Sequence, residues 1–365
     1  MKRKFVAKLL LAMLTIPLVL LTACASSDAL PSSDALSSPD ALTTNDALPS
    51  SNALPSDDAL PSVSDTYKGF SVSGTTLLDA NGNEFVIRGI NHAHTWFKSE
   101  RDEALTAIAQ TGANTVRLVL SDGVAWTKDS AEDVAALIEK CKELSMIAMV
   151  EVHDATGKND AASLLKAADY WIELKDILAE NEAYVLLNIA NEWYGDWKSE
   201  QWRDAYVEAI PKLRTAGIRN TIVVDSAGWG QYPESVHTFG REVFDADERA
   251  NTIFSIHMYE YAGKDAATVK ANIDKALALN IPVIIGEFGH RHTSGKVAFE
   301  TILSYCEEKR VGYLGWSWKG NSGGVEYLDI AVKWDGSELS PDWGEPLVNS
   351  EFGIRNTSHK CTVFE

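Results

Sequence analysis

Seven apolar stretches of this 365-residue chain run into side chains that can hold, share or transfer protons. They end in Asn91-His92-Ala93-His94, in Arg117 within Val116-Arg117-Leu118, in Glu151-Val152-His153-Asp154, in Asn191-Glu192-Trp193, in His257-Met258-Tyr259, in Gly286-Glu287-Phe288-Gly289 and in Trp316-Ser317-Trp318. A single polar residue at such a point usually caps the backbone, but a buried charge must be paired or functional. No CxxC or HExxH spacing accompanies these residues, and no glycine-rich phosphate loop, so neither a metal nor a cofactor is expected. Two carboxylates brought to one face without a cofactor suit cleavage of a glycosidic bond. Glu192 would then be the general acid/base, and its surroundings should raise its pKa so that it holds a proton. Glu287 would be the nucleophile, which must be charged, and Arg117 is the candidate to keep it so. Carboxyl groups about 5–5.5 Å apart would make the reaction retaining.

Residues this far apart in sequence meet only if the chain returns repeatedly to one place. Gly69 to Phe85 reads as a short hairpin turning at Asp79-Ala80-Asn81-Gly82. Strand-like runs then alternate with amphipathic helical runs. The strands are read at Phe85–Asn91, Thr115–Leu120, Met146–His153, Tyr184–Glu192, Thr221–Ser226, Thr252–Tyr259, Pro282–Glu287 and Gly312–Trp318. Helices are read at Arg101–Gln110, Ala131–Leu144, Ala161–Ala179, Glu200–Thr215, Ala266–Asn280 and Lys296–Lys309, with an irregular stretch and a helical turn near Gly240. Eight such units predict an α/β fold, a closed (β/α)₈ TIM barrel whose site lies at the C-terminal ends of the strands. An open doubly wound sheet is the second choice, and it lacks the phosphate loop it would carry after its first strand. Glu192 and Glu287, at the fourth and seventh strands, would face each other across the barrel mouth.

Asn191-Glu192 and Glu287, with Arg117, His153, His257, Tyr259 and Trp316, resemble the catalytic set of glycoside hydrolase family 5. Longer stretches are similar to bacterial endo-β-1,4-mannanases of that family: Phe85 to His92, Glu151 to Gly157, Asn188 to Trp193, Ser255 to Gly263, Ile285 to His292 and Gly315 to Asn321. The resemblance covers about Gly69 to the C-terminus. Ala93 stands where glycine is expected in those mannanases. The resemblance implies endo-acting, retaining hydrolysis of β-1,4-mannosidic bonds in mannan, galactomannan and glucomannan. It also implies that Asn191 bonds the sugar 2-OH, that Tyr259 and Arg117 hold Glu287, that His257 and His153 orient this network, and that Trp316 stacks under the sugar. Trp96, Trp193 and Trp318 are divided between core and cleft. An endo-β-1,4-glucanase of the same family is the near rival, and a non-catalytic sugar-binding lipoprotein the distant one.

Residues 65–365 form the predicted catalytic domain. Before it, Met1-Lys2-Arg3-Lys4 and the apolar run to Leu21 read as an export signal (1–23). Leu21-Thr22-Ala23-Cys24 resembles a bacterial lipoprotein box, with Cys24 as the acylated residue and the mature protein held at the cell surface through a membrane lipid anchor. From 24 to 64 an Asp-Ala-Leu unit recurs every six residues among Ser, Pro and Thr, a composition too poor in apolar area to fold. As a coil this linker spans ~35 Å. The net charge of −19 argues against a nucleic-acid partner. A monomer acting on a polysaccharide is expected. Cys141, Cys306 and Cys361 are expected to be buried, inert thiols, and several of the eleven tryptophans to line a sugar cleft.

Overall fold

A computed structural model describes residues 67–365 apart from Ser294. The export signal, Cys24 and the repeat linker lie outside the described residues. A hairpin of β1 (Ser71–Ser73) and β2 (Thr76–Leu78) comes first. The strands that follow are β3 (Arg88–His92), β4 (Thr115–Leu120), β5 (Ile147–Val152), β6 (Val185–Asn188), β7 (Ile222–Asp225), β8 (Thr252–Met258) and β9 (Val283–Phe288). A small hairpin, β10 (Arg291–His292) with β11 (Gly295–Lys296), precedes β12 (Gly312–Gly315). β12 pairs with both β9 and β3, so eight parallel strands close into the expected barrel.

The connecting helices are α1 (Arg101–Gln110), α2 (Ala131–Glu143), α3 (Ala161–Glu173), α4 (Lys175–Glu180), α5 (Glu200–Thr215), α6 (Glu234–Asp245), α7 (Ala266–Leu277) and α8 (Phe299–Lys309). Local chemistry fixes their starts: Ser130 and Asp133 form a capping box on α2, and Asp160 and Asp265 cap α3 and α7. Each then turns an apolar face inward, as with Val134, Leu137, Ile138 and Cys141 of α2. The stretch around Gly240 is a full helix rather than one turn. Its glycine packs where a Cβ would lie 2.8 Å from Ile281, so close approach outweighs poor helix propensity. The helix read from Ala161 to Ala179 breaks at Leu174, and the last long helix starts at Phe299 because β10 and β11 take up the residues before it.

All eight barrel strands are buried along their length, so each reads as a nearly continuous apolar run. Inside the ring, Ile147, Met149, Leu186, Val223, Ile253, Ile284 and Leu314 form one apolar layer with Phe70, Leu77 and Phe85 from the opening hairpin region. Side chains two residues further along a strand share its face. Continuing from that layer gives Glu151, Asn188, Asp225 and Ser255. The barrel is thus greasy at its floor and polar at its mouth. Cys141, Cys306 and Cys361 are free and buried, and burial pushes each thiol up to about 12, as expected of inert cysteines.

Candidate active site

Glu287 lies within β9, while Glu192 lies beyond the end of β6, which stops at Asn188 rather than at Glu192. The chain turns through Ile189 and Ala190, and three hydrogen bonds pin the turn. The amide of Asn191 donates to Val152 O at 2.8 Å, that of Gly157 donates to Glu192 O at 3.1 Å, and that of Glu192 donates to Asp225 Oδ2 at 2.9 Å. Glu192 sits at φ 44°, a left-handed conformation that costs energy for a residue with a Cβ and persists only when its surroundings enforce it. The result aims its carboxyl across the mouth, and the nearest oxygens of Glu192 and Glu287 come within 4.8 Å of each other.

Arg117 is fully buried and its fork meets six polar residues of the mouth. Nη1 donates to Glu287 Oε1 at 2.8 Å and to Asn91 Oδ1 at 3.1 Å, and Nη2 donates to Asn188 Oδ1 and Asn191 Oδ1, both at 2.7 Å. Asp225 and Glu151 lie 3.4 and 3.7 Å away. Tyr259 Oη donates to the other oxygen of Glu287 at 2.9 Å. The expected hold of Arg117 and Tyr259 on Glu287 is therefore present. Burial nonetheless pushes the Glu287 carboxyl above its ordinary range, and neighbouring Glu192 adds to the push, against His257 and Arg117, which draw it down. The donors decide where the anion rests: Glu287 accepts from Arg117 and Tyr259, whereas the Glu192 carboxylate has His257 as its partner among the described residues.

The two histidines have different surroundings. His257 Nδ1 lies 2.7 Å from Glu192 and 3.6 Å from Glu287, and its Nε2 lies 3.6 Å from Asp225. Burial works to lower its pKa, but Glu287, Asp225 and Glu192 outweigh burial and raise it to about 10. His153 stacks on Trp316 at a centroid distance of 5.9 Å, and its Nδ1 lies 2.9 Å from Glu151 Oε1. Its pKa is raised because Glu151 outweighs burial. The oxygen of Asn191 accepts from Arg117, and its NH₂ donates to Thr156 Oγ1 at 3.0 Å beside His153.

These residues open onto two clefts that share Trp316. One, of about 530 Å³, holds His153, Asn191, Glu192, Tyr259 and Glu287 with Trp197, Trp229 and Tyr261. The other, of about 380 Å³, is walled by Ala93, Trp96, Phe97 and Trp126. Of the divided tryptophans, Trp96 faces the cleft, while Trp193 and Trp318 are core. Trp229 stands out among the residues the sequence reading misses. It sits at φ 57° between Gly228 and Gly230, both also left-handed, with its indole half exposed. A Cβ on Gly157 would lie 2.2 Å from that ring, so glycine there is what lets the indole pack against the backbone. Asn188 and Asp225 are also omissions, and Glu151 is seen only as part of its run.

Two carboxyl groups at this spacing, one of them held by Arg117 and Tyr259, on a cleft with aromatic walls, can open a glycosidic bond through a covalent sugar ester. The family model described as cellulase (glycosyl hydrolase family 5) matches residues 78–322. The chain is 54% identical over 296 residues to a mannan endo-1,4-beta-mannosidase of Salipaludibacillus agaradhaerens, spanning 81% of this chain and 96% of that protein. It is 42% identical over 300 residues to the mannan endo-1,4-beta-mannosidase of Streptomyces lividans, spanning 81% and 78%. Among solved structures, the mannohexaose complex of a Thermomonospora fusca beta-mannanase superposes with a TM-score of 0.77 at 42% identity, over 82% of this chain and 100% of that one.

Proposed function

Since the chain belongs to glycosyl hydrolase family 5, we propose that it is an endo-acting, retaining hydrolase of β-1,4-mannosidic bonds in mannan, galactomannan and glucomannan. The observation that carries this reading is the approach of Glu192 and Glu287 to within 4.8 Å on an open cleft. Inverting enzymes need about 6.5–9.5 Å between the carboxyl groups to seat a water. Glu287 attacks the anomeric carbon while Glu192 passes its proton to the departing oxygen. Having given its proton to the departing sugar, Glu192 is a carboxylate when water enters and takes a proton from that water in the second step. Water then attacks the anomeric carbon, and Arg117 and Tyr259 receive the carboxylate released on Glu287. Aromatic rings on both sides of Trp316 suit a polymer running through, and the similarity to mannan endo-1,4-beta-mannosidases favours mannan over cellulose.

Product analysis on mannohexaose with anomeric detection tests bond, mode and stereochemistry together. Internal cleavage with the β configuration kept at first release is expected, and an α product would overturn the retaining mechanism. Faster turnover of carboxymethylcellulose than of galactomannan would move the reading to a glucanase, and turnover of neither to a sugar-binding protein. We further propose that Cys24 is acylated and that 24–64 tethers the barrel at the membrane. The support is the Leu21-Thr22-Ala23-Cys24 box and the unfolded composition that follows it; among the described residues no helix is long and apolar enough to cross a membrane. Cys24→Ala should release the enzyme from the membrane fraction, and unchanged partitioning would refute the anchor.

A further inference from the structure

Asp225, the last residue of β7, is fully buried and lines neither cleft. Its Oδ2 accepts the Glu192 amide at 2.9 Å and lies 3.4 Å from Arg117 Nη2 and 3.6 Å from His257 Nε2. Its Oδ1 accepts from Asn188 Nδ2 at 3.3 Å. Asn188 cannot turn round, because its own oxygen is taken by Arg117 at 2.7 Å and its NH₂ also donates to Val223 O. Among the described residues, both oxygens of Asp225 therefore face donors, an arrangement that only a carboxylate satisfies. Burial works to raise its pKa, but His257 from β8 and then Arg117 from β4 outweigh it and hold the carboxylate ionised, at about 2. The ionised form makes a charge-assisted bond to the amide of Glu192, which sits in a left-handed turn.

We propose that Asp225 is a positioning residue for proton donation: its carboxylate clamps the Glu192 amide and so aims the Glu192 carboxyl at the leaving-group oxygen. The inference rests on Glu192 being the acid/base. Asparagine in place of Asp225 must point its NH₂ either at Asn188 Nδ2 or at the Glu192 amide, so one donor meets another and the clamp loosens. Proton donation matters for a sugar leaving group and hardly at all for a dinitrophenolate. The loss should therefore depend on what departs, which a loosened fold would not reproduce.

The test compares kcat/KM on galactomannan and on 2,4-dinitrophenyl β-mannobioside for the wild type, D225N, D225A, E192A and the E192A/D225N double variant, each checked by circular dichroism and thermal unfolding. D225A leaves space rather than a donor clash and covers the case in which D225N folds poorly. For either Asp225 variant the polymer should lose about 100-fold and the activated substrate less than about threefold, within the range a general acid contributes. In the E192A background D225N should cost nothing further on the polymer. Equal losses on both substrates, additive losses in the double variant, or undiminished activity would overturn the clamp. If E192A itself loses equally on both substrates, the acid/base assignment falls and the inference falls with it. If E192A is leaving-group dependent and the Asp225 variants are not, the inference alone fails.

Discussion

His257 Nδ1 lies 2.7 Å from Glu192 Oε1, so the imidazole bears directly on the residue that must deliver the proton. Donating there keeps Oε1 an acceptor, which leaves any proton of Glu192 to the other oxygen. The charge on the ring also has a consequence for stability. Its folded pKa of about 10 lies above the unfolded value of about 6.5. The stabilisation it provides is thus complete below pH ~6.5 and lost as pH rises through ~10. His257→Gln should cost on the order of a few kcal/mol at pH 6 and progressively less towards pH 10. Urea unfolding of both proteins across that range reads it, and a constant gap would show the ring to be neutral.

Glu287→Gln keeps the shape of the side chain and removes the nucleophile. Arg117 can still donate to the amide oxygen, and the Tyr259 hydroxyl can turn to accept from the NH₂. Turnover should fall by about 10⁴-fold or more, while mannohexaose binding by calorimetry changes little. Retained activity would reassign the nucleophile.

The residues that follow a strand are legible in the sequence because an apolar run visibly stops there. Glu192, Tyr259 and Trp316 are found that way, and Glu287 by its place in a run that tolerates no other charge. Asn188 and Asp225 are harder to see because they sit at the tips of the runs, where a polar residue reads as a cap, and Glu151, though visible in its run, is given no role there. Period two identifies them: each stands two residues after a floor residue, Leu186, Val223 and Met149. The ends of the strands are misjudged for a related reason. Ile189 and Ala190 are as apolar as β6 itself, and only the left-handed turn at Glu192 ends the strand. Trp229 depends on Gly157, a glycine far from it in sequence, and no local pattern announces that contact.

The indole of Trp229 rests on Gly157, whose amide donates to Glu192 O, so this platform lies on the side of the acid/base and hence of the departing sugar. Trp229→Ala should lower kcat/KM on galactomannan about tenfold, as expected for an aromatic contact of about 1.5 kcal/mol, and leave 2,4-dinitrophenyl β-mannobioside nearly unaffected. Gly157→Ala should mimic it, because its methyl group would lie 2.2 Å from the ring on a backbone at φ 68°. Equal effects on both substrates would place Trp229 under the other end of the chain.

Stability at the far end of the barrel rests on a different pair. Arg214 of α5 and Asp247 meet through two bonds of 2.8 Å, with both side chains almost wholly excluded from water. Asp247 also accepts the amides of Arg249 and Asn251 and the hydroxyl of Thr252, while Arg214 ties down Ile218 O and Asn220 O just before β7. Asp247→Ala leaves the guanidinium buried beside backbone carbonyls alone and should cost about 3–5 kcal/mol in chemical unfolding. Burial works to raise the Asp247 pKa, but Arg214 and Thr252 hold it below the usual range. Its contribution is therefore complete above the unfolded carboxylate pKa and lost as pH falls through the folded one, so the gap between variant and wild type should close on acidification. KM for galactomannan should not move, since conserving the strand entry is a matter of folding and the cleft lies at the opposite end. A changed KM with unchanged stability would mean that this pair reaches the site after all.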